Sequence, residues 1–238
     1  MKFFSSVAAV AVALTALLAQ ADEAAVRGAL QQNFPADAIK SIAKTPVPGV
    51  LEAVVDNRIF YLTEDGRYLL GGPLIDIKAN QNLTQAHLDQ INTIPFDSLP
   101  LKRAIKIVKG NGSRRLAIFE DPDCPYCKKL EQDMRDIDNL TAYVFLFPIE
   151  QLHPGSSNRS KAIWCAKDRA KAWDDAMRTG TVPGAAANCA NPVEKNIAYG
   201  REHGINGTPT MILANGHRLV GAVSRDELEQ QLASAAKK

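Results

Sequence analysis

The stretch IFEDPDCPYCKKLEQDM, residues 118–134, constrains this chain more than any other. An apolar, strand-like run gives way there to a charged, helix-prone run, and Cys124 and Cys127 stand three positions apart at the junction. Such a chain must end a strand and begin a helix with both sulfurs at the turn. Cys124 falls at or beside the N-cap, where unpaired backbone N–H groups and the helix dipole favour thiolate over thiol. Pro125 suits the first helical turn, because its missing N–H has no intrahelical partner there. Cys127, about one turn on, faces the same way but lies deeper. The geometry therefore assigns attack to Cys124 and resolution of the mixed disulfide to Cys127. Glu120, Asp121 and Asp123 oppose thiolate formation, whereas Lys128 and Lys129 assist it.

Other uses of a close cysteine pair fit less well. A zinc site needs two further ligands, most simply from a second close pair, and Cys165 and Cys189 are too far apart in sequence for a zinc knuckle. Haem attachment needs histidine after the second cysteine, where this chain has Lys128. A purely structural bridge within one helical turn constrains little. Redox exchange, with no metal and no cofactor beyond a redox-active Cys124–Cys127 disulfide, is the reading that remains.

The compartment follows from the first residues. Lys2 precedes an apolar run from Phe3 to Ala19, interrupted only by Ser5, Ser6 and Thr15, and Ala19-Gln20-Ala21 supplies the small residues that a signal peptidase reads. Residues 1–21 are expected to be a secretory signal peptide cleaved after Ala21. Export implies an oxidising compartment in which cysteines pair unless kept reduced. The formal net charge of +2 marks no nucleic-acid partner.

Residues Asp22 to Asn33 read as a helix, with Val26 and Leu30 four apart. The runs VLEAVV, RIFYL and RYLLGG, separated by Asp56-Asn57 and TEDG, read as an antiparallel meander, and Leu74 to Ile77 as a further short strand. About 60 residues bury little apolar surface alone, so this segment (22–82) is a natural place for self-association. Residues 83–103 form a connector, with a helix over Thr84 to Ile91 capped by Thr84 and then broken by Pro95 and Pro100. From residue 104 the order is strand (AIKIV), a hairpin-like turn (KGNGS), strand (RLAIF), the Cys124 helix, and strand (AYVFLF). A helical stretch over Asn158 to Met177 and another over Val193 to His203 follow. TMILAN and HRLVGA then flank Asn215-Gly216, a hairpin signal, and Ser224 with Glu227 caps a last helix. That is the order of a thioredoxin-like α/β domain, residues 104–238, with a helical insertion.

A second element bears on chemistry. In INGTPTMIL, residues 205–213, proline enters an apolar strand although it cannot donate to a central ladder. A cis Thr208–Pro209 peptide would turn the chain sharply there and offer Thr208's backbone groups to an extended client. Thr208 and Pro209, with Pro125 and Tyr126 between the cysteines, are the candidate substrate-binding residues. Four cysteines allow three connectivities. If Cys124 pairs with Cys127, Cys165 and Cys189 remain, either as a structural disulfide, as a second redox relay or as free thiols. The scattered His87, His153, His203 and His217 show no metal spacing, and Trp164 and Trp173 read as core.

CPYC after FED, KAIWCAKDRAKAWDDAM (161–177), GTPT and YLTEDGRYLLGGPL together resemble the bacterial periplasmic thiol:disulfide interchange proteins of the DsbC class, within the DsbC/DsbG family of the thioredoxin superfamily. The likeness covers essentially the whole chain after residue 21. It implies an α+β N-terminal dimerisation domain, a cystatin-like meander with a helix, joined by a helical linker to the thioredoxin-like catalytic domain. It further implies a homodimer in the periplasm, acting as a disulfide isomerase with chaperone-like binding of unfolded or misoxidised secreted proteins. A membrane thiol reductase of the DsbD type would supply electrons. By the same resemblance Cys124 is the nucleophile, Cys127 its partner, and Cys165–Cys189 the structural bridge. Pro125 stands where class C members commonly have glycine and matches the DsbG class. A DsbG-like reductase of oxidised single cysteines is therefore one alternative, and a dimeric holdase chaperone, in which the cysteines are incidental, is another.

Overall fold

The structure, a computed structural model, describes residues 22–184 and 188–236. The expected signal peptide, residues 1–21, lies outside them. The chain divides into two compact units, Met1–Ile91 and Asn92–Lys238.

In the first unit a helix, α1, covers residues 22–31 and buries Val26 and Leu30. It is followed by strands β1 (Ile39–Lys44), β2 (Val50–Val55), β3 (Arg58–Thr63) and β4 (Leu69–Leu70), paired antiparallel in that order. Asp56 and Asn57 both take positive φ, 48° and 61°, as the two-residue turn between β2 and β3 requires. Strand β1 is an addition to the meander read from the sequence. Ile39 and Ile42 stand three apart rather than in alternation, so the sequence gives no clear strand signal there and only pairing with β2 defines it. Leu51, Ala53, Val55 and Leu62 pack with Val26 and Leu30. Strands β5 (Ile75–Asp76) and β6 (Gln81–Asn82) pair, and α2 (Leu83–Ile91) follows. The cap of α2 is Asn82 rather than Thr84: Asn82 Oδ1 accepts from Gln85 N at 2.9 Å. Thr84 Oγ1 is committed instead to Leu74 N and the Tyr61 hydroxyl, both at 2.7 Å.

The second unit is built on a five-stranded sheet ordered β11-β10-β8-β9-β7. Its members are β7 (Ile105–Lys109), β8 (Arg114–Glu120), β9 (Leu140–Leu146), β10 (Thr210–Leu213) and β11 (Arg218–Val220). Strands β8 and β9 run parallel and the remaining neighbours antiparallel. The hairpin expected across KGNGS is therefore not formed. Strand β9, buried at six of its seven positions, pairs with both β7 and β8 and separates them. A local turn signal lost to the better burial of a more distant strand.

Helix α3 (Pro125–Asp133) makes the crossover between β8 and β9. After β9 come α4 (Ser156–Cys165), α5 (Arg169–Thr179) and α6 (Val193–Glu202), then β10, β11 and α7 (Arg225–Ala235). The helix read over Asn158 to Met177 is two helices. Ala166 leaves helical geometry, and the Asp168 side chain accepts from Lys171 N at 3.0 Å to start α5 afresh. Ser224 caps α7 as its sequence suggests, accepting from Glu227 N at 3.3 Å. One face of the sheet packs Leu116, Ile118 and Met211 against α3 and α7. Elsewhere Ile105, Val144 and Leu146 meet Trp164, Trp173 and both Cys124 and Cys127.

Candidate active site

The end of β8 and the start of α3 hold Cys124 and Cys127. Cys124 is the N-cap of α3, with extended backbone (φ −71°, ψ 122°), and Pro125 opens the helix. Its backbone N donates to Asp121 O at 3.1 Å, and its carbonyl accepts from Lys128 N at 3.1 Å. Both sulfurs are free thiols. Cys127 has no exposed surface and Cys124 keeps 4 %, whereas Tyr126 is 66 % exposed. The pair is thus unequal in access as well as in position along the helix.

The Thr208–Pro209 peptide is cis. Cys124 Sγ lies 3.4 Å from the Thr208 carbonyl oxygen, to which the thiol donates. Strands β8 and β10 are neighbours, with Phe119 opposite Thr210, so both loops leave one end of one strand pair. The Cys124 thiol is lowered to about 5. A hydrogen bond from Cys127 does most of this; burial opposes it; the Thr208 side chain and the backbone N–H groups of Cys127 and Tyr126 add to it. The Cys127 thiol is pushed far up, first by burial and then by its bond to Cys124. One cysteine is a stable thiolate and its neighbour a reluctant acid.

Two of the three acids that the sequence set against the thiolate, Asp121 and Asp123, are otherwise engaged. Asp121 is fully buried; its carboxylate accepts from Asp123 N, from Ile149 N at 2.7 Å and from the Ser156 hydroxyl, and it faces His153 Nδ1 at 2.9 Å. Asp123 accepts from Arg159 Nε at 2.7 Å. Lys129, expected to assist the thiolate, is bound to Asp133 one turn on. His153, Ser156 and Arg159 thus belong to the shell of the site. Nothing in the sequence nominated them, since they lie some thirty residues from their partners. Glu120 is fully buried beneath the pair, with its proton held on by burial and by neighbouring Glu131.

Cys165, the last residue of α4, is bonded to Cys189, with S–S 2.03 Å and Cα–Cα 5.7 Å. It ties the helix end to a segment rich in glycine, alanine and proline, and closes a loop across a separation of 24 residues. With these sulfurs bonded to each other, no second thiol pair stands near Cys124 and Cys127, and no cluster that could hold a metal occurs among the described residues. Trp164 and Trp173 are buried, 7 % and 1 % exposed. No helix among the described residues is long and apolar enough to cross a membrane.

Comparison with known proteins agrees with this geometry. Residues 17–85 match the family model described as the disulfide bond isomerase protein N-terminal domain, and residues 101–236 match a thioredoxin-like domain. A relative from Bordetella parapertussis, named "Probable thiol:disulfide interchange protein DsbC", is 41 % identical over 90 % of this chain and 74 % of its own length. The "Thiol:disulfide interchange protein DsbC" of Escherichia coli K12 is 33 % identical over 90 % of this chain and 89 % of its own length. A solved structure, a disulfide interchange protein from Neisseria gonorrhoeae, superposes with a TM-score of 0.57 at 40 % identity, covering 59 % of this chain and all of the other. The second unit is accordingly a thioredoxin-like α/β domain with a helical insertion, preceded by the N-terminal domain of that family.

Proposed function

The chain belongs to the DsbC family of thiol:disulfide interchange proteins, and from that premise we propose that it isomerises wrong disulfides in secreted proteins through Cys124. The Cys124 thiolate attacks one sulfur of a client disulfide, forms a mixed disulfide and releases a client thiolate. That thiolate attacks another client disulfide or the mixed one, the bonds are reshuffled, and the enzyme leaves reduced. When the intermediate stalls, Cys127 attacks Cys124, expels the client sulfur and leaves an oxidised pair. The observation that carries this reading is the pairing of a thiol lowered to about 5 with a carbonyl of Thr208 at 3.4 Å, at the tip of α3. Thr208 and Pro209 would seat the client's extended backbone, and exposed Pro125 and Tyr126 its flanking side chains.

The same reading assigns residues 22–82 to dimerisation, 83–103 to a linker and 104–238 to catalysis. Exposed Leu69, Leu70, Ile75 and Ile77 support self-association of the N-terminal domain into a homodimer. The leader at 1–21 and the family support work in the periplasm, where an electron donor, a membrane thiol reductase of the DsbD type, would keep the pair reduced. Cys165–Cys189 would be structural. Pro125 favours a second activity, reduction of oxidised single cysteines in the manner of the DsbG class. Assays with a scrambled multi-disulfide protein and with a protein sulfenic acid test the assignment. Faster turnover of the scrambled protein, abolished in Cys124→Ala, is expected; activity surviving that substitution overturns the reading.

A further inference from the structure

A pocket of about 300 Å³ opens between the loop that follows β9 and the loop that leads to Pro209. Buried Phe147 and Ile205 and half-buried Ile197 of α6 make its apolar walls. Gly200 permits this packing, because a Cβ there would collide with the Phe147 ring. Gln151, Arg201 and Asn206 are the exposed members of the lining. Among the described residues none of these three side chains has a hydrogen-bond or ion-pair partner, and Arg201 is the single charge on the lining. Glu150 is bound instead to Gly155 N and Ser157 N, and Glu202, next on α6, does not line the pocket. An apolar floor with free polar groups converging on its mouth is the form of a binding pocket. Its volume lies at the small end of such sites, enough for one side chain rather than a length of chain.

Both walls are tied to the reactive sulfur. Ile149, also in the lining, donates its N–H to the Asp121 carboxylate at 2.7 Å, and Asp121 O accepts from Cys124 N at 3.1 Å. The loop after β9 is thereby fixed to the Cys124 turn. On the other side Asn206 stands two residues before Thr208, whose carbonyl oxygen lies 3.4 Å from Cys124 Sγ. Two extended residues span about 7 Å. Side chains two apart on a strand share one face. A client strand seated along Thr208, with its cysteine at Cys124, therefore carries the side chain two positions from that cysteine to the pocket.

We propose that this pocket is a specificity subsite for the client, an inference that rests on Cys124 being the residue that attacks client disulfides. It takes an apolar side chain two residues from the client cysteine and favours a carboxylate beside that side chain, held by Arg201. The apolar walls supply affinity, and the lone guanidinium at the mouth supplies the sign of the preferred charge. Clients are thus ranked by what flanks their cysteines as well as by how reactive their disulfides are.

Short peptides whose single cysteine is joined to thionitrobenzoate test this on the reduced full-length protein. Cys124 attacks the peptide sulfur; the Cys124–peptide bond forms, the bond to thionitrobenzoate breaks, and its electron pair leaves on the coloured thionitrobenzoate. Leucine then glutamate, leucine then lysine, or two serines occupy the second and third positions from the cysteine, on either side of it. The parent is expected to react about tenfold faster with the leucine–glutamate peptide than with the serine peptide. Its margin over the leucine–lysine peptide should be about threefold and shrink in salt. Arg201→Glu should reverse the charge preference and keep the leucine preference, whereas Ile197→Ala should weaken the leucine preference. Ratios of rates within one variant are read, so a general change in sulfur reactivity cancels. Equal rates for all peptides in the parent, or preferences unchanged in both variants, overturn the subsite. Should Ile197→Ala fail to fold, Arg201→Glu at its exposed position decides alone. The peptide-free reagent 5,5′-dithiobis(2-nitrobenzoate) checks the premise separately. No release of thionitrobenzoate from it by the parent refutes the role given to Cys124, and the subsite with it.

Discussion

Two cysteine pairs within one domain differ in span and in surroundings. Cys165 and Cys189 join the end of α4 to a loop 24 residues away, whereas Cys124 and Cys127 lie within one helical turn. A bond that closes a long loop restricts the unfolded chain strongly, by about 3.5 kcal/mol for a loop of this length on the chain-entropy account. A bond across three residues restricts it little. What the short pair has instead is surroundings: a helix N-terminus, the Thr208 carbonyl, and a buried carboxyl below. Loop length sets how far a bond restrains the chain, and neighbouring groups set how readily a sulfur reacts.

Breaking the short pair should abolish chemistry and spare the fold. Cys124→Ala is expected to lower isomerase turnover on a scrambled protein by roughly a thousandfold or more, the scale of losing an activated nucleophile, while circular dichroism and sedimentation stay unchanged. Breaking the long pair should do the reverse. Cys165→Ala with Cys189→Ala is expected to cost about 3.5 kcal/mol in urea unfolding of the oxidised protein, with thionitrobenzoate release at Cys124 preserved below the transition. Loss of reactivity without loss of stability would merge the two pairs into one functional unit.

The buried carboxyl sharpens the contrast. Glu120 holds its proton in the folded chain well above the ordinary value of 4.5. Above pH 4.5 folding must therefore take up a proton, and stability falls with rising pH until the folded value is passed. Glu120→Gln removes that linkage. It should gain on the parent by up to about 1.4 kcal/mol per pH unit above pH 4.5 and by nothing below it, read from urea midpoints across pH. No substitution at the Cys165–Cys189 end should tilt the profile in this way.

The smallest effect is the most diagnostic of the thiolate. With a thiol near 5, alkylation by iodoacetamide should be independent of pH above about 6. At pH 6 Cys124 has roughly 300 times the thiolate fraction of free cysteine, but a less basic sulfur is intrinsically slower by about 40-fold. The net advantage is ~8-fold at pH 6, reversing to a deficit of about 30-fold at pH 9. A rate that keeps climbing to pH 9 would erase the distinction between the two pairs.

The sequence spoke clearly where chemistry is local. A strand, C-P-x-C and a charged helix fix the N-cap, and Asn215-Gly216 marks the β10–β11 connection, where Gly216 takes φ 86°. It spoke poorly where partners are remote. KGNGS looks like a hairpin only until β9, which starts at Leu140, takes both neighbours. Asp121 reads as a charge opposing the thiolate, yet donors from Ile149, His153 and Ser156 saturate it. Glu120 and Asp121 are adjacent acids; only the fold surrounds one with hydrogen-bond donors and buries the other with its proton held on.

The adjacency of β8 and β10 has a further use for an engineer. Phe119 and Thr210 face one another across the ladder, so the cysteine-bearing loop and its proline-bearing neighbour hang from one strand pair. Helices α4 and α5 are no detachable cap on that pair, since Ser156 and Arg159 bind Asp121 and Asp123, and Trp164 and Trp173 pack against both cysteines. A graft meant to change which proteins are accepted must carry those four side chains with it to leave the sulfur environment intact.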